Sequence, residues 1–245
     1  MGTFENKKIL ITGGSRGIGL GLARHFFRQG ARVAICSRKE ANLQKAQEEI
    51  GDLLTIAANL GKAAEVENVF NLIRSEFQTL DILINNLGMN IFTPFTAEAD
   101  IPLWDKIMDS NLKAAFLCSR QAFPLMKEKG GVIINISSIA GHRASPGMGI
   151  YGIAKAGVNM LTKVLAKELA SSGIRVNAVA PGVVETEFSK PFWSDQEILK
   201  EILKGVPLGR IARIDDVVDL VAFLASPQAA YLTGEIISLS GGAEA

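Results

Sequence analysis

A chain of 245 residues is long enough for one large domain with a full core, and α/β domains of this size are often undivided. It is 48% hydrophobic and 21% charged with 24 glycines, a globular composition. Its formal net charge of +1 comes from basic residues spread along the chain, which leaves no electrostatic footprint for nucleic acid or an anionic membrane.

Residues 1–8 contain no apolar core of a signal peptide. A myristoylation motif at Gly2 fails because Asn6 occupies the position that needs Ser or Thr. No apolar stretch reaches spanning length, so the cytoplasm is the expected location. Residues 9–11 read as a buried strand, and residues 12–19 then pack four glycines into eight positions. From Ile18 the apolar residues Ile18, Leu22 and Phe26 recur at helical spacing. A strand, a glycine turn and a helix form the context in which a dinucleotide pyrophosphate can sit on a helix N-terminus. The spacing is T-G-x-x-x-G-x-G, carried by Thr12, Gly13, Gly17 and Gly19, and G-x-G-x-x-G fits nowhere in the stretch.

Further strands are predicted over 32–36, 53–58, 81–85, 131–137, 174–179 and 235–239. Helices are predicted over 41–50, 63–77, 101–127, 150–171, 195–204 and 214–225. Asp100 is the expected N-cap of the 101–127 helix, with Pro102 tolerated in its first turn. Cys36 and Cys118 fall in apolar patterns and read as small buried hydrophobes, with neither disulfide nor metal role. His25, among apolar helix neighbours, reads as structural. Strands that are continuous apolar runs alternating with helices predict an α/β fold: one Rossmann-type doubly wound parallel sheet of about seven strands with helices on both faces. No repeat or linker is visible, so residues 1–245 are expected to form one domain, with a substrate lid around 186–205. Ligands of such sheets bind at the carboxyl ends of the strands, which directs attention to residues 12–19, 37–38, 59–60, 85–88, 137–138 and 180–186.

Tyr151 and Lys155 lie four apart at the start of a predicted helix, so phenol and ammonium share one side. A phenol with a pKa near 10 is a poor base at neutral pH, and a cation within about 4–6 Å lowers that value. Such a phenol can exchange a proton with an alcohol or ketone oxygen while hydride moves at carbon. A hydroxyl at the end of the fifth strand, Ser137 or Ser138, can hold that oxygen. Tyr-x-x-x-Lys alone also describes an ordinary surface pair. The other tyrosine, Tyr231, has no such lysine and reads as structural.

Together these motifs resemble the short-chain dehydrogenase/reductase family over essentially the whole chain, including its 3-oxoacyl-carrier-protein reductases. The matched segments are 12–19, 85–88 (Asn-Asn-Leu-Gly), Asn111, 136–138 (Ile-Ser-Ser), 151–155 and 181–186 (Pro-Gly-x-x-x-Thr). The resemblance implies that Tyr151 is the acid/base, that Lys155 lowers its pKa and binds the nicotinamide ribose, and that Ser138 orients the substrate. It also implies that Asn111 holds a local break in its helix and a water leading from Lys155. Gly13, Ser15, Arg16, Gly17, Ile18, Gly19, Ser37, Arg38, Asn59, Leu60, Asn86 and Gly88 would contact the cofactor, as would Tyr151, Lys155, Pro181, Gly182, Val184 and Thr186.

Three positions depart from the family pattern. Leu87 stands for alanine beside the adenosine, Asn59 for an aspartate near adenine, and Ser240 for an aspartate of the C-terminal tail. The second strand ends in Ser37-Arg38 with Arg16 nearby, where a carboxylate would favour NAD; arginine forks suit a 2′-phosphate, so NADP(H) is expected over NAD(H). Met89, Ile91, Phe92, Phe95, Met148, Phe188, Phe192 and Trp193 are expected around an apolar carbonyl substrate, with His142 and Arg143 beside the mouth. Those side chains could instead pack a lid against the body. Acyl carrier protein, docking on Lys127 and Lys129, is an open alternative for substrate delivery. Apolar residues Leu112, Phe116, Ala122 and Phe123, with Val158, Leu161, Val164 and Leu165, suggest a homotetramer built on the two long helices. The expected activity is a carbonyl reductase or alcohol dehydrogenase. A dinucleotide-sensing regulator without catalysis, or an epimerase on the same scaffold, are the alternatives, and no metal is expected.

Overall fold

In the computed structural model, which describes residues 3–245, seven strands form one parallel sheet in the order β3-β2-β1-β4-β5-β6-β7. The strands are β1 Lys8–Thr12, β2 Arg32–Ser37, β3 Leu54–Ala57, β4 Ile82–Asn85, β5 Gly131–Ile136, β6 Ile174–Pro181 and β7 Ile236–Leu239. Helices α1 Gly17–Arg28, α2 Glu40–Ile50, α3 Ala63–Phe77, α4 Ile101–Met108, α5 Ala114–Met126, α6 Gly149–Leu169, α7 Gln196–Lys204 and α8 Ile214–Ala225 connect them. The myristoylation reading at Gly2 lies outside the described residues. Among those residues no helix is long and apolar enough to cross a membrane.

Alternation within each strand explains why the runs are apolar throughout. Ile9 and Ile11 of β1 join one core with Leu22 and Phe26 of α1 and with Val217 and Val221 of α8. Leu10 between them joins the opposite core with Phe70 of α3 and Leu117 of α5. Both faces are covered, so every side chain of the strand after Lys8 is withdrawn from water, each such Ile or Leu contributing about 1.5–3 kcal/mol. Cys36 and Cys118 are buried in the second core, and burial pushes the Cys36 thiol up to about 12, which leaves it inert. His25 stacks edge-on against Phe26, consistent with a structural role.

The sheet order reverses between β1 and β4, which opens a crevice at their carboxyl ends. Thr12 pins the two ends together: its buried hydroxyl accepts from the backbone N–H of Asn86 (2.9 Å) and Leu87 (3.0 Å).

The expected 101–127 helix is broken at Asn111, as the family resemblance implied. Asp100 caps α4 as expected, accepting from the Leu103 N–H at 2.8 Å. Residues Asp109–Lys113 then form a single π-helical turn before α5 begins. The buried Asn111 amide donates 2.8 Å to the Ile107 carbonyl, the group that the backbone N–H of residue 111 would take in an unbroken α-helix. A side chain has replaced a backbone donor, and the helix widens by a residue to accommodate it. Tyr231, read as structural, is fully exposed and packs into neither core.

Candidate active site

A cavity of about 860 Å3 runs along the carboxyl ends of the strands, from the end of β2 to the segment after β6. Its first part is built by the β1–α1 turn. Arg16 precedes α1 in extended conformation and no side chain caps the helix, so its first N–H groups face the cavity unclaimed. Gly17 adopts φ +54°, a backbone that disfavours any Cβ, and a Cβ there would project across the cleft to 3.6 Å from Thr186. Gly13, Ser15, Arg16, Gly17, Ile18, Ser37, Arg38, Asn59, Leu60, Asn86 and Gly88 all line this cavity. Lys39 joins them, whereas Glu40, the nearest carboxylate in sequence, is exposed at the start of α2 and does not. Asn59 accepts from the Gly61 N–H (3.2 Å), an Asx turn that shapes the β3 exit. Leu87 leans partly into the second core as it lines the cavity, so it fills space between sheet and cleft.

Gly19 is placed differently from Gly13 and Gly17. It does not line the cavity: it is buried where a Cβ would press into the Gly13 carbonyl oxygen and the Asn86 amide. Its work is to let α1 lie on the turn.

At the far end, Ser138, Tyr151, Lys155, Pro181, Gly182, Val184 and Thr186 line the same cavity. Ser138 follows β5 and opens a one-turn 3-10 helix over Ile139–Gly141, its hydroxyl accepting from the Ala140 N–H at 3.2 Å. Tyr151 and Lys155 stand one turn apart at the start of α6, both buried, with the Lys155 Nζ 5.5 Å from the phenol ring centre. Lys155 donates to the Ile136 carbonyl at 2.8 Å.

Electrostatics differ from the expectation that Lys155 lowers the phenol. Burial pushes Tyr151 up to about 12, with the adjacent Ser138 hydroxyl acting in the opposite direction. Burial also brings Lys155 down to about 8. Desolvation is the largest cause of both shifts, since each charged form would lie in a buried site.

Asn111 lies behind this end and does not line the cavity. Besides its bond to Ile107, its amide donates to the Met89 carbonyl (2.8 Å) and its oxygen accepts from the Met89 N–H (3.3 Å). It therefore fixes the loop after β4. A Cβ on Gly88 would sit 3.0 Å from the Asn111 oxygen and 3.4 Å from the Lys155 Nζ, so the absent side chain keeps the space between them open.

The wall beyond Ser138 is apolar in large part. Met89, Met148, Phe188 and Phe192 line it as expected, and the Phe188 ring centre is 6.2 Å from that of Tyr151. Ile202, Val206 and Leu208, which sequence reasoning had not singled out, complete it. Trp193 instead anchors its segment from outside, donating to the Thr186 carbonyl at 3.1 Å. Ile91 packs with Ile107 and Ile150 beneath the site. Phe92 and Phe95 turn away, more than two-thirds exposed, and line a separate shallow hollow. Arg143 lines the cavity, whereas His142 is tied to the C-terminal segment: its Nδ1 lies 3.0 Å from Glu244 and 3.3 Å from the Ser238 hydroxyl. The side-chain oxygen of Asn90 is buried at the cavity wall with no partner among the described residues. No cluster of three metal-ligating side chains occurs among the described residues.

The family model for "Enoyl-(Acyl carrier protein) reductase" proteins, adh_short_C2, matches residues 13–244. The chain is 36% identical to the 3-oxoacyl-[acyl-carrier-protein] reductase FabG of Chlamydia muridarum, over 97% of both chains. It is 37% identical to a 3alpha-hydroxysteroid dehydrogenase of Mediterraneibacter gnavus, over 98% of both. Among solved structures, a protein described as a short-chain alcohol dehydrogenase from Sinorhizobium meliloti superposes with a TM-score of 0.93 at 33% identity, covering 98% of this chain and 97% of its own. A short-chain dehydrogenase/reductase from Mycobacterium ulcerans gives 0.94 at 27% identity, covering 98% and 90%. Matches of this extent, on a seven-stranded parallel sheet with this cavity, establish that the chain belongs to the short-chain dehydrogenase/reductase family of NAD(P)-dependent oxidoreductases.

Proposed function

We propose that the protein interconverts a ketone and a secondary alcohol with NADP(H), Tyr151 carrying the proton. One observation supports this above the others: a single cavity holds the Ser138 hydroxyl, the Tyr151 phenol and the Lys155 ammonium near β5, and Arg16 and Arg38 near β2.

The residues present fit a dinucleotide. Uncapped N–H groups of α1 and the Gly17 cradle suit a pyrophosphate, with Asn59 and Leu60 beside the adenine and Asn86 and Gly88 along the ribose. Pro181, Gly182, Val184 and Thr186 would meet the nicotinamide carboxamide. Ser37, Arg38 and Arg16 supply donors for a 2′-phosphate. The carboxylates lining the cavity among the described residues, Glu187 and Asp216, are engaged by Lys190 (3.4 Å) and Arg210 (2.6 Å), so none repels that phosphate.

When bound, the cofactor supplies the hydride and, in its oxidised form, a positive charge beside the phenol. Ser138 holds the substrate oxygen. Tyr151, protonated at neutral pH because burial raises it, delivers its proton to that oxygen as the ketone is reduced. Lys155 and Asn111 flank the open space beside Gly88, through which a water could return a proton to the site. The apolar wall of Met89, Met148, Phe188 and Phe192 favours an apolar carbonyl substrate, under a lid formed by residues 186–205. Relatives named for 3-oxoacyl and 3α-hydroxysteroid substrates supply the first compounds to try, and delivery by acyl carrier protein on Lys127 and Lys129 is one arm of the same test.

The experiment is NADPH and NADH consumption with a 3-oxoacyl thioester, a 3-oxosteroid, a sugar and a bulky aromatic ketone. Tyr151→Phe is expected to lower turnover about 10²–10⁴-fold while still binding NADPH. Wild-type rates in that variant refute the assignment of Tyr151. NADPH binding with no turnover of any ketone by wild type favours a dinucleotide-sensing regulator.

Assembly as a homotetramer is part of the same reading. Ala122 and Val158 are buried within the monomer, but Phe116 of α5 and Ile153, Met160 and Val164 of α6 remain exposed between 41% and 60%, an apolar surface that a second copy would cover. Light scattering of wild type and Phe116→Glu tests it.

A further inference from the structure

Ser138 and Tyr151 sit on different elements, and a shared substrate oxygen requires their hydroxyls to be held at a fixed separation. Besides the Lys155 bond to the Ile136 carbonyl and the Ser137 contact with the Lys155 carbonyl, one side chain bonds the segment on both sides of Ser138. Asn159 lies two turns beyond Tyr151 on α6 and one turn beyond Lys155, so the three form a stripe within about 80° of arc. It is 9% exposed and faces the segment that carries Ser138. On one side of Ser138, the buried Ser137 hydroxyl donates to the Asn159 side-chain oxygen at 2.5 Å and lies 3.3 Å from the Lys155 carbonyl. On the other side, the Asn159 amide donates to the Gly141 carbonyl at 3.3 Å, at the end of the 3-10 turn that Ser138 opens. No backbone hydrogen bond joins residues 137–141 to α6 among the described residues.

We infer that Asn159 is a positioning residue that brackets Ser138 and sets its register against Tyr151, with Ser137 as its partner. The inference rests on the reading of Ser138 and Tyr151 as the groups that contact the substrate oxygen. A carboxamide suits the task because it accepts on one atom and donates on the other, and the two bonds converge from both ends of the turn. Losing either frees the turn to shift relative to the helix, and a displacement near 1 Å in a reacting group costs on the order of 10²-fold.

The test is a double-mutant cycle read by single-turnover ketone reduction. Asn159→Ala is expected to lower the chemical rate 10–100-fold, with the NADPH dissociation constant and substrate KM within threefold of wild type. In a Ser138→Ala background the same substitution should cost less than twofold, because its effect runs through Ser138. A general loosening of α6 would cost as much in both backgrounds, and that result overturns the proposal. Asn159→Asp, which keeps the acceptor for Ser137 and loses the donor to Gly141, is expected to fall between wild type and alanine. Should Asn159→Ala not fold, Ser137→Ala enters the same cycle with the same criterion. Wild-type activity in Tyr151→Phe would instead show that the underlying assignment has failed, a result distinct from equal losses in the two backgrounds.

Discussion

Lys155 is a buried ammonium whose only hydrogen bond among the described residues goes to the Ile136 carbonyl, and burial brings its pKa from 10.5 to about 8. In the unfolded chain the lysine still binds its proton between those values, while the folded protein does not. The unfolded state therefore holds more protons across this window, and stability must rise with pH through it. Each pH unit in the interval is worth about 1.4 kcal/mol, so wild type should gain about 1.4 kcal/mol by pH 9 and about 2.5 kcal/mol by pH 10 relative to neutral pH. Lys155→Met removes the titration, and the lost bond to Ile136 lowers its stability by an amount that does not depend on pH. Urea unfolding of wild type and Lys155→Met without cofactor, at fixed protein concentration and at half-unit steps from pH 7 to 10, isolates the term as the difference between two curves. Tyr151 adds little below pH 10, because its folded value of about 12 lies above its unfolded value of 10 and its stabilisation is lost only as pH rises between them. A difference that stays flat from pH 7 to 10 refutes the reasoning and means that Lys155 keeps its proton in the folded state.

The same lysine should appear in the kinetics: kcat/KM for ketone reduction is expected to fall above pH 8, and Lys155→Arg should move that limb beyond pH 10, since the phenol ionises far higher. Persistence of the limb in Lys155→Arg would assign it elsewhere. Arg38→Ala should cost 10–100-fold in kcat/KM with NADPH and leave NADH within threefold, the loss of one charge-assisted bond of about 1.5–3 kcal/mol; equal losses with both cofactors would remove Arg38 from 2′-phosphate recognition. Gly19→Ala forces a methyl group against the Gly13 carbonyl and should lower stability by about 1–3 kcal/mol, a fall in Tm of about 2–10 °C, together with weaker NADPH binding. A Tm unchanged in calorimetry would show that α1 can move off the turn.

Much of this site was legible because the sequence had to satisfy the backbone before it satisfied a ligand. Residues 12–19 require glycine for conformation or for close approach, and Gly17 and Gly19 meet those needs in different ways. Their spacing is thus readable, although which glycine faces the cavity is not. The strands were legible because both faces of the sheet are covered, so β1, β4 and β5 carry no alternation that another fold would explain. Tyr151 and Lys155 were legible as a pair through helical geometry alone, and their placement in one cavity with Ser138 followed from the sheet order.

What escaped the sequence depends on partners that are remote in it. The break at Asp109–Lys113 is a local exception: periodicity does not show it, because Ile107 before it and Ala114 after it are both buried, and it was anticipated only through the resemblance that marked Asn111, whose amide competes for the Ile107 carbonyl. His142 is 102 residues from Glu244, and Asn159 is 22 from Ser137, so neither pairing has a local signature. Phe92 and Phe95 show the same limit in loops, where no period fixes which way a side chain faces, and both turned out from the cleft. The apolar stripe of a helix fixes its inner face, and polar residues within that face then become informative. Asn159 continued the stripe of Tyr151 and Lys155 at the same four-residue interval, buried among apolar neighbours where an unpartnered carboxamide would cost about 1–3 kcal/mol. That cost demands a partner, and the partner proved to be the turn that presents Ser138.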